Sequence, residues 1–276
     1  MSKADPRVVA AVMSQIDAAL GESARRPVVI GLCGAQGSGK TTLAQAVLAS
    51  CTGKGVRAAV LSIDDIYLTR AERGELARSV HPLLATRGVP GTHDVGLGLR
   101  VMDALARGEA TRLPRFEKAR DDRAAMSEWP SAPEACEVLI FEGWCVGAAP
   151  QSEEDLAAPV NGLEECEDAD GRWRRYVNAA LAGRYASLFA RLDRLVLIAA
   201  PDFAVVHGWR LEQERDLAWS APSGGAIMDE AGIARFISHY ERLTRHILQE
   251  MPARADLVIH LDEQRRPLSI ESGQSA

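Results

Sequence analysis

A glycine-rich segment at residues 34–41, GAQGSGKT, is the part of this sequence that most constrains its fold. It matches G-x-x-x-x-G-K-[ST] and stands between an apolar run at residues 28–33 and good helix formers at residues 41–50. Glycines permit positive φ angles, so backbone N–H groups in such a turn can surround a phosphate at the start of a helix. The segment predicts a P-loop between a buried strand and a helix.

Strands and helices are predicted to alternate along the rest of the chain. Five apolar, β-branched runs have the length of buried strands: 28–33, 58–63, 138–141, 195–199 and 257–261. Helical spacing of apolar residues follows Pro6 and recurs between the runs. Alternation implies parallel crossovers. We therefore expect a three-layer α/β P-loop NTPase fold with a mostly parallel sheet of about five strands.

The domain organisation is expected to be simple. Residues 1–276 are predicted to form a single P-loop domain. An acid-rich segment at about 150–172 contains turn signals and is interpreted as an inserted loop, either a lid or a solvated insertion. The tail, 265–276, is expected to be flexible.

Composition excludes several classes of protein. The net charge of −6 and the pI near 5.6 lack the basic excess needed to bind a nucleic-acid backbone. The five cysteines are scattered without metal-ligand or disulfide spacing. No signal sequence or membrane span is recognisable, so we expect a cytoplasmic protein that binds neither nucleic acid nor membrane. The sequence does not indicate an oligomeric state.

The P-loop defines a nucleotide site for ATP. Lys40 is expected to reach the β- and γ-phosphate oxygens, and Thr41 to supply a hydroxyl to Mg²⁺. The predicted nucleotide-binding residues are Gly34, Ala35, Gln36, Gly37, Ser38, Gly39, Lys40, Thr41 and Thr42.

Acids at two further strand ends are candidates for the chemistry. Asp64 and Asp65 follow the second run, at the edge of the sheet where α/β proteins bind ligands, and one of them can accept the proton of an acceptor hydroxyl. Glu142 follows the third run and can hold a Mg²⁺-bound water. The alternative interpretations are a helix cap or turn for the Asp pair and a buried structural pair for Glu142.

Other P-loop classes fit less well. The N-K-x-D base-reading motif of GTP switches is missing, and PSGGA at 222–226 is not the L-S-G-G-Q signature of transporter ATPases. A nucleotide-dependent switch or assembly ATPase remains the rival hypothesis from a different class.

The sequence resembles the D-glycerate 3-kinase-like P-loop kinases, which are similar to phosphoribulokinase, uridine kinase and bacterial pantothenate kinase. The resemblance extends from Val28 to about Pro267. It is carried by GAQGSGKT, SIDDIYLT (62–69), RGVPGTHD (87–94), LPRFEK followed by DDR (113–123), FEGW (141–144) and GWRLEQE (208–214). It implies a single P-loop kinase domain over residues 1–276, with a helical lid at about 205–225. It also implies the use of ATP and Mg²⁺ and, for the named members, phosphorylation of the 3-hydroxyl of D-glycerate.

The resemblance also implies roles for single residues. Asp64 matches the base, with Asp65 as a second candidate, and Glu142 matches the Mg²⁺-associated acid. The remaining matched positions are His93 and Asp94 near the acceptor, Lys118 and Arg123 around the acceptor and the γ-phosphate, and Arg210 in the lid over the nucleotide.

The basic segment 115–123 departs from the pattern of the plant and fungal members. It is shorter, and Glu117 stands where they carry Asp. We expect a small-molecule kinase with D-glycerate as its anionic acceptor. Because this segment is expected to shape the acceptor pocket, a nucleoside, pantothenate or a sugar phosphate stays open as the alternative.

Overall fold

A computed structural model describes the backbone of residues 4–220 and 230–273 and the side chains of 4–212 and 232–273. Six strands form the main sheet in the order β2-β5-β1-β6-β7-β8, and two short strands, β3 and β4, form a separate hairpin. The strands are β1 (Val28–Gly34), β2 (Ala58–Ser62), β3 (Phe116–Glu117), β4 (Asp122–Arg123), β5 (Val138–Gly143), β6 (Arg194–Ala199), β7 (Leu257–Leu261) and β8 (Pro267–Ser272). Every neighbouring pair in the main sheet is parallel except β7 with β8.

Helices cover both faces of this sheet. They are α1 (Pro6–Glu22), α2 (Lys40–Gly53), α3 (Arg70–Ser79), α4 (Val95–Ala106), α5 (Gly162–Glu167), α6 (Arg172–Ala180), α7 (Ala186–Phe189), α8 (Ala204–Ser220) and α9 (Glu230–Glu250). Short 3₁₀ turns occupy Ile63–Ile66, Pro82–Ala85, Met126–Glu128 and Met251–Ala253, and a π-helical turn, Leu181–Tyr185, joins α6 to α7. Within the described ranges, no helix is both long and apolar enough to cross a bilayer.

Successive side chains of the central strand β1 point to opposite faces of the sheet and pack into two separate layers of the core. Val28, Ile30 and Leu32 pack on the side that carries α1 and α2. Val29 and Cys33 pack on the opposite side, with α4 and the second half of α9. Because a strand presents successive residues to opposite faces, a fully apolar strand needs cover on both sides. The predicted α/β class and mostly parallel sheet are thus confirmed.

The described part of the predicted flexible tail, residues 265–273, contains a strand, and residues 274–276 lie outside what the structure describes. Residues 267–272 form β8, which pairs antiparallel with β7 and places Ile259 opposite Ile270. Asp262 stabilises the connecting turn by accepting hydrogen bonds from the backbone N–H groups of Gln264 and Arg266. Pairing covers the open edge of the parallel sheet, which explains why a polar segment with little strand character is ordered here.

The acid-rich segment at 150–172 is bound to the body of the protein through buried ion pairs. Glu164, on α5, pairs with Arg242 of α9 at 2.7 Å, and both side chains are buried. Asp168 pairs with Arg174 at 3.0 Å and accepts the backbone N–H of Trp173. Several of its acids therefore have structural partners that the charge pattern did not reveal.

The predicted lid falls partly outside the described residues. Its first part is α8, and residues 221–225 of the prediction, like the side chain of Trp219, lie outside what the structure describes. Trp209, at the start of α8, is buried and donates its indole N–H to the carbonyl of Glu263 at 2.7 Å. It packs as a core residue.

Candidate active site

Three strand ends meet at one edge of the sheet because β5 lies between β1 and β2. The register places Ser62 of β2 beside Glu142, and Cys33 of β1 beside Gly143. The chain leaves β2 toward Asp64 and leaves β1 into the P-loop. Carboxyl ends of parallel strands share an edge, so the predicted acids and the P-loop are neighbours.

The P-loop opens into α2 with a helix start that lacks a side-chain cap. Gly39 is the N-cap residue, with φ of 86°, and the described residues supply neither a side-chain cap nor an acid in the first turn. Unpaired N–H groups and the positive end of the helix dipole favour an anion at this position. This arrangement can bind the phosphates of a nucleotide.

Thr41 and Glu142 form a hydrogen-bonded pair across the cleft floor. The Thr41 hydroxyl donates to Glu142 Oε1 at 3.2 Å, and the Glu142 side chain is only 3% exposed. Its second oxygen, Oε2, is buried without a hydrogen-bond partner among the described residues. A buried carboxylate oxygen usually has a partner, so this pair fits a Mg²⁺ ion that keeps waters and phosphate oxygens as its other ligands.

A polar cleft of about 370 Å³ connects the P-loop to the acidic strand end. Predicted site residues from separate parts of the chain line it together: Gln36, Gly37, Lys40, Thr41, Asp64, Asp65, Lys118, Glu142 and Arg210. Arg115 lines it as well. The cleft thus holds cations and acids from five segments of the chain.

Asp64 stands in this cleft with both carboxylate oxygens hydrogen-bonded. Lys118 Nζ donates to Oδ2 at 2.8 Å, and the Tyr67 hydroxyl donates to Oδ1 at 2.8 Å. Burial by itself would raise the pKa of Asp64, but the charges of Lys118 and Lys40 and these two hydrogen bonds outweigh it and hold the pKa well below its ordinary value. The carboxylate is therefore ionised at neutral pH and can accept a proton only transiently.

Asp65 has different partners. Arg115 Nη1 donates to its Oδ2 at 2.8 Å, and the backbone N–H of Phe116 donates to Oδ1 at 3.1 Å. Burial raises the pKa of this carboxyl, against the charge of Arg115 and the backbone hydrogen bond. Asp65 thus connects the end of β2 to the beginning of β3, which makes it a structural partner of the hairpin.

Three predicted acceptor residues lie one layer behind the cleft. His93 is 5% exposed and stacks on the Tyr67 ring at 4.5 Å between centroids. Asp94 caps α4 by accepting the N–H of Leu97 at 2.8 Å. Arg123 donates to the carbonyl of Tyr67 at 3.0 Å and to Asp94 at 3.3 Å. As described, these side chains support Tyr67 and the start of α4.

A buried hydrogen-bond chain orients His93. The Gly91 N–H donates to the Tyr185 hydroxyl at 3.0 Å, so that hydroxyl is free to donate to His93 Nδ1. Burial lowers the pKa of His93 to about 3, although the charge of Asp64 opposes the shift. The imidazole is consequently neutral over the physiological range.

Arg210 and a second cavity lie close to the P-loop. The Arg210 guanidinium stands 5.2 Å from the Phe236 ring centroid and lines the cleft. On the other side of the P-loop, Ser38, Gly39 and Thr42 border a cavity of about 130 Å³ with apolar walls from Ile198, Ile259 and Leu261. Gly34 and Ala35, at the end of β1, are buried beneath the loop.

Three further side chains of the site were not predicted. Tyr67 and Arg115 contact the Asp pair, and Tyr185 reaches His93 from the π-helical turn. Arg115 belongs to the basic segment 115–123, and Tyr67 lies two residues after the Asp pair, so both carried a sequence signal. Tyr185 lies 92 residues from His93 and had none.

The comparisons with known proteins agree with this geometry. Residues 29–149 match the phosphoribulokinase / uridine kinase family. The chain is 34% identical over 263 residues to the uncharacterized kinase mug58 of Schizosaccharomyces pombe, covering 88% of this chain and 91% of that protein.

Two D-glycerate 3-kinases are similar over most of the chain. The chloroplastic enzyme of Arabidopsis thaliana is 32% identical over 262 residues, which are 88% of this chain and 54% of that enzyme. The solved structure of D-glycerate 3-kinase from Cryptococcus neoformans superimposes with a TM-score of 0.80 at 25% identity, covering 96% of this chain and 98% of that one. The chain is therefore a P-loop kinase that belongs to the phosphoribulokinase / uridine kinase family, with D-glycerate 3-kinases among its homologues.

Proposed function

We propose that this protein transfers the γ-phosphoryl group of ATP to the 3-hydroxyl of D-glycerate. The observation that carries the proposal is the cleft in which Asp64, paired with Lys118, faces the P-loop residues Lys40 and Thr41. Its homologues that are named D-glycerate 3-kinase support the choice of acceptor.

The charges in the cleft suit two anionic substrates. Lys40, Arg115, Lys118 and Arg210 line it together with three acids. A carboxylate on the acceptor would find a cation at Lys118, whose side chain is 62% exposed and thus accessible. Phosphate oxygens would find Lys40, the helix start and Arg210. Cations at these positions offset the charge that spreads over the oxygens during transfer.

The nucleotide base is assigned to the apolar cavity beside Gly39 and Thr42. Its walls of Ile198, Ile259 and Leu261 suit a flat ring. This places the phosphates over the P-loop between base and acceptor. The acceptor then approaches the γ-phosphorus from the side of Asp64.

Transfer requires one bond to form and one to break. The acceptor oxygen forms a new P–O bond, the bond from the γ-phosphorus to the β-γ bridging oxygen breaks, and the hydroxyl proton passes to the Asp64 carboxylate. Tyr67 and Lys118 hold this carboxylate so that it orients the hydroxyl in line with the phosphorus. A Mg²⁺ held at Thr41 and Glu142 would supply charge neutralisation for the phosphates.

The experiment is a turnover assay with matched acceptors. ADP release is measured with Mg-ATP and, separately, D-glycerate, L-glycerate, glycerol, uridine, pantothenate and ribulose 5-phosphate, and the product is identified by ³¹P NMR. We expect turnover with D-glycerate and a phosphomonoester at its 3-position. Glycerol serves as the control because it offers the same hydroxyls without a carboxylate.

Two results would contradict the proposal in different ways. Turnover with a nucleoside, pantothenate or a sugar phosphate and none with glycerate would change the acceptor and keep the kinase chemistry. ADP release that is independent of every acceptor and stimulated by a protein would favour the nucleotide-dependent switch.

A further inference from the structure

The acceptor side of the cleft is carried by a hairpin that is too short to hold its own shape. β3 and β4 contribute two residues each, pairing Phe116 with Arg123 and Glu117 with Asp122. A two-stranded hairpin is marginally stable in water even when it is longer. Lys118 stands at the first position of its turn and reaches Asp64 from there. Contacts outside the hairpin must therefore keep this turn in place.

Asp121, in the same turn, connects the hairpin to two other parts of the chain. Its Oδ2 accepts a hydrogen bond from Arg73 of α3 at 2.5 Å, and its Oδ1 accepts one from Arg87 in the loop before α4. Its φ of 54° is in the left-handed region, which aspartate and asparagine adopt more readily than other non-glycine residues. We call Arg73, Arg87 and Asp121 the Asp121 clamp.

Arg73 is buried to a degree that is rare for a charged side chain. Only 1% of its side chain is exposed. The guanidinium donates to the carbonyl oxygens of Leu68 at 2.6 Å, Ala85 at 3.3 Å and Asp121 at 3.1 Å. A buried cation without a carboxylate partner is strongly unfavourable, so Arg73 and Asp121 constrain each other.

The Phe116 ring ties the clamp to the acidic strand end. The guanidinium carbons of Arg73 and Arg87 each lie 5.6 Å from its centroid, and the Tyr67 ring meets it edge-on at 5.2 Å. The Phe116 backbone N–H bonds to Asp65. A continuous set of contacts thus runs from Asp121 through Phe116 to the residues that hold Asp64.

We propose that Asp121 is a positioning residue for the acceptor: anchored by Arg73 and Arg87, it sets where Lys118 stands relative to Asp64. The kinetic consequence rests on the proposed function, whereas the effect on the hairpin does not. Asp121 does not line the cleft itself. Its action on the reaction passes through the turn that it holds.

The first test compares the kinetics of Asp121→Asn with those of the unchanged protein, under conditions in which circular dichroism shows that both are folded. Asparagine keeps the shape and tolerates positive φ, so the change removes the charge and one of the two hydrogen-bond acceptors of the carboxylate. The KM for the acceptor should rise about tenfold or more, while the KM for ATP stays within about twofold. A purely electrostatic effect would lower the KM for the acceptor, because a cleft with one negative charge fewer beside it attracts an anionic acceptor more strongly. An acceptor KM that is unchanged or lower, or an equal rise in the KM for ATP, would overturn the proposal.

Arg120→Gln is the matched control on the same turn. Arg120 is 72% exposed and pairs with Glu117 at 3.2 Å on the surface. Its removal should leave both KM values within about twofold of the unchanged protein. An Arg120→Gln protein with the same acceptor defect as Asp121→Asn would show that any change in this turn suffices, and would overturn the specific role of Asp121.

A second measurement needs no substrate. Hydrogen–deuterium exchange of the free protein should show the amides of residues 116–123 exchanging about tenfold faster in Asp121→Asn, with no change in Arg120→Gln. Unchanged exchange in Asp121→Asn would overturn the clamp even if the enzyme is active. If exchange is faster in Asp121→Asn and the unchanged protein phosphorylates an acceptor other than D-glycerate, the clamp is supported. Only the choice of D-glycerate is then contradicted.

Discussion

The Lys118 ammonium nitrogen lies 2.8 Å from Asp64 Oδ2, so the proposed base is paired with a cation from a separate hairpin. We predict that Asp64→Asn lowers kcat by about 10²–10⁴-fold because the acceptor hydroxyl loses its proton acceptor. The affinity for ATP, measured by calorimetry, should change little, in contrast to Lys40→Ala, which should abolish transfer and weaken ATP binding.

Asp65→Asn is the control for this change. Its carboxylate is occupied by Arg115 and the Phe116 N–H, so its loss should raise the KM for the acceptor more than it lowers kcat. If Asp64→Asn keeps most of its kcat and Asp65→Asn does not, the base is Asp65.

Glu142→Gln should change the magnesium dependence of the reaction. The buried Oε2 of Glu142 has no hydrogen-bond partner among the described residues, and the adjacent Thr41 hydroxyl is the expected metal ligand. We expect the Mg²⁺ concentration for half-maximal rate to rise by about 10–100-fold. The measurement is a Mg²⁺ titration at saturating ATP and acceptor. An unchanged titration curve would assign Glu142 a structural role.

His93 should make the protein less stable in acid. The unfolded residue takes up a proton near its ordinary pKa of about 6.5, whereas the buried imidazole stays neutral down to a pKa of about 3. Between these values the unfolded state binds more protons, so the free energy of unfolding falls as the pH decreases, by up to about 1.4 kcal/mol per pH unit from this group. Urea unfolding from pH 7 to pH 4 measures the slope.

The matched variant is His93→Gln, which keeps an acceptor for the Tyr185 hydroxyl and does not titrate. Its unfolding free energy should depend less on pH than that of the unchanged protein over the same interval. Parallel pH curves for the two proteins would show that His93 is not buried as a neutral group.

Gly37→Ala should destabilise the contact between the P-loop and α8. A Cβ at Gly37, where φ is 77°, would lie 2.7 Å from Trp209 Cβ and 3.2 Å from the Trp209 backbone. Gly39 has a similar φ of 86° but open space around a Cβ, so Gly39→Ala reports the backbone strain alone, about 1–2 kcal/mol. We expect Gly37→Ala to lower the free energy of unfolding by about 1–3 kcal/mol more than Gly39→Ala does, as measured by urea unfolding. Equal losses would mean that Trp209 moves away without cost.

Breaking the buried pair between Glu164 and Arg242 should cost far more than breaking a surface pair. Glu164→Gln leaves the Arg242 guanidinium buried without its carboxylate, a change worth about 3–5 kcal/mol of unfolding free energy. Asp17→Asn removes the exposed pair with Lys54 and should cost less than about 1 kcal/mol. Similar values for the two variants would show that the segment at 150–172 is only loosely held.

The structure also shows how far local sequence patterns reach. The five predicted strands, the helices α1 and α2, and the P-loop were recognisable because apolar periodicity and glycine spacing act within a few residues of chain. β8 was missed, since its order comes from pairing with β7 rather than from its own composition. α3 was missed as well, although Thr69 and Glu72 form a capping box at its start.

The sequence by itself determined the phosphate-binding turn, the α/β class and the presence of acids at strand ends, because each is encoded by neighbouring residues. Tertiary structure decided their partners: β5 between β1 and β2 brings Glu142 to Thr41, the 116–123 hairpin brings Lys118 to Asp64, and the π-helical turn brings Tyr185 to His93. It also keeps His93, Asp94 and Arg123 out of the lining of the cleft. Such contacts join segments far apart in the chain, so they depend on how the whole core packs and leave no local pattern to detect.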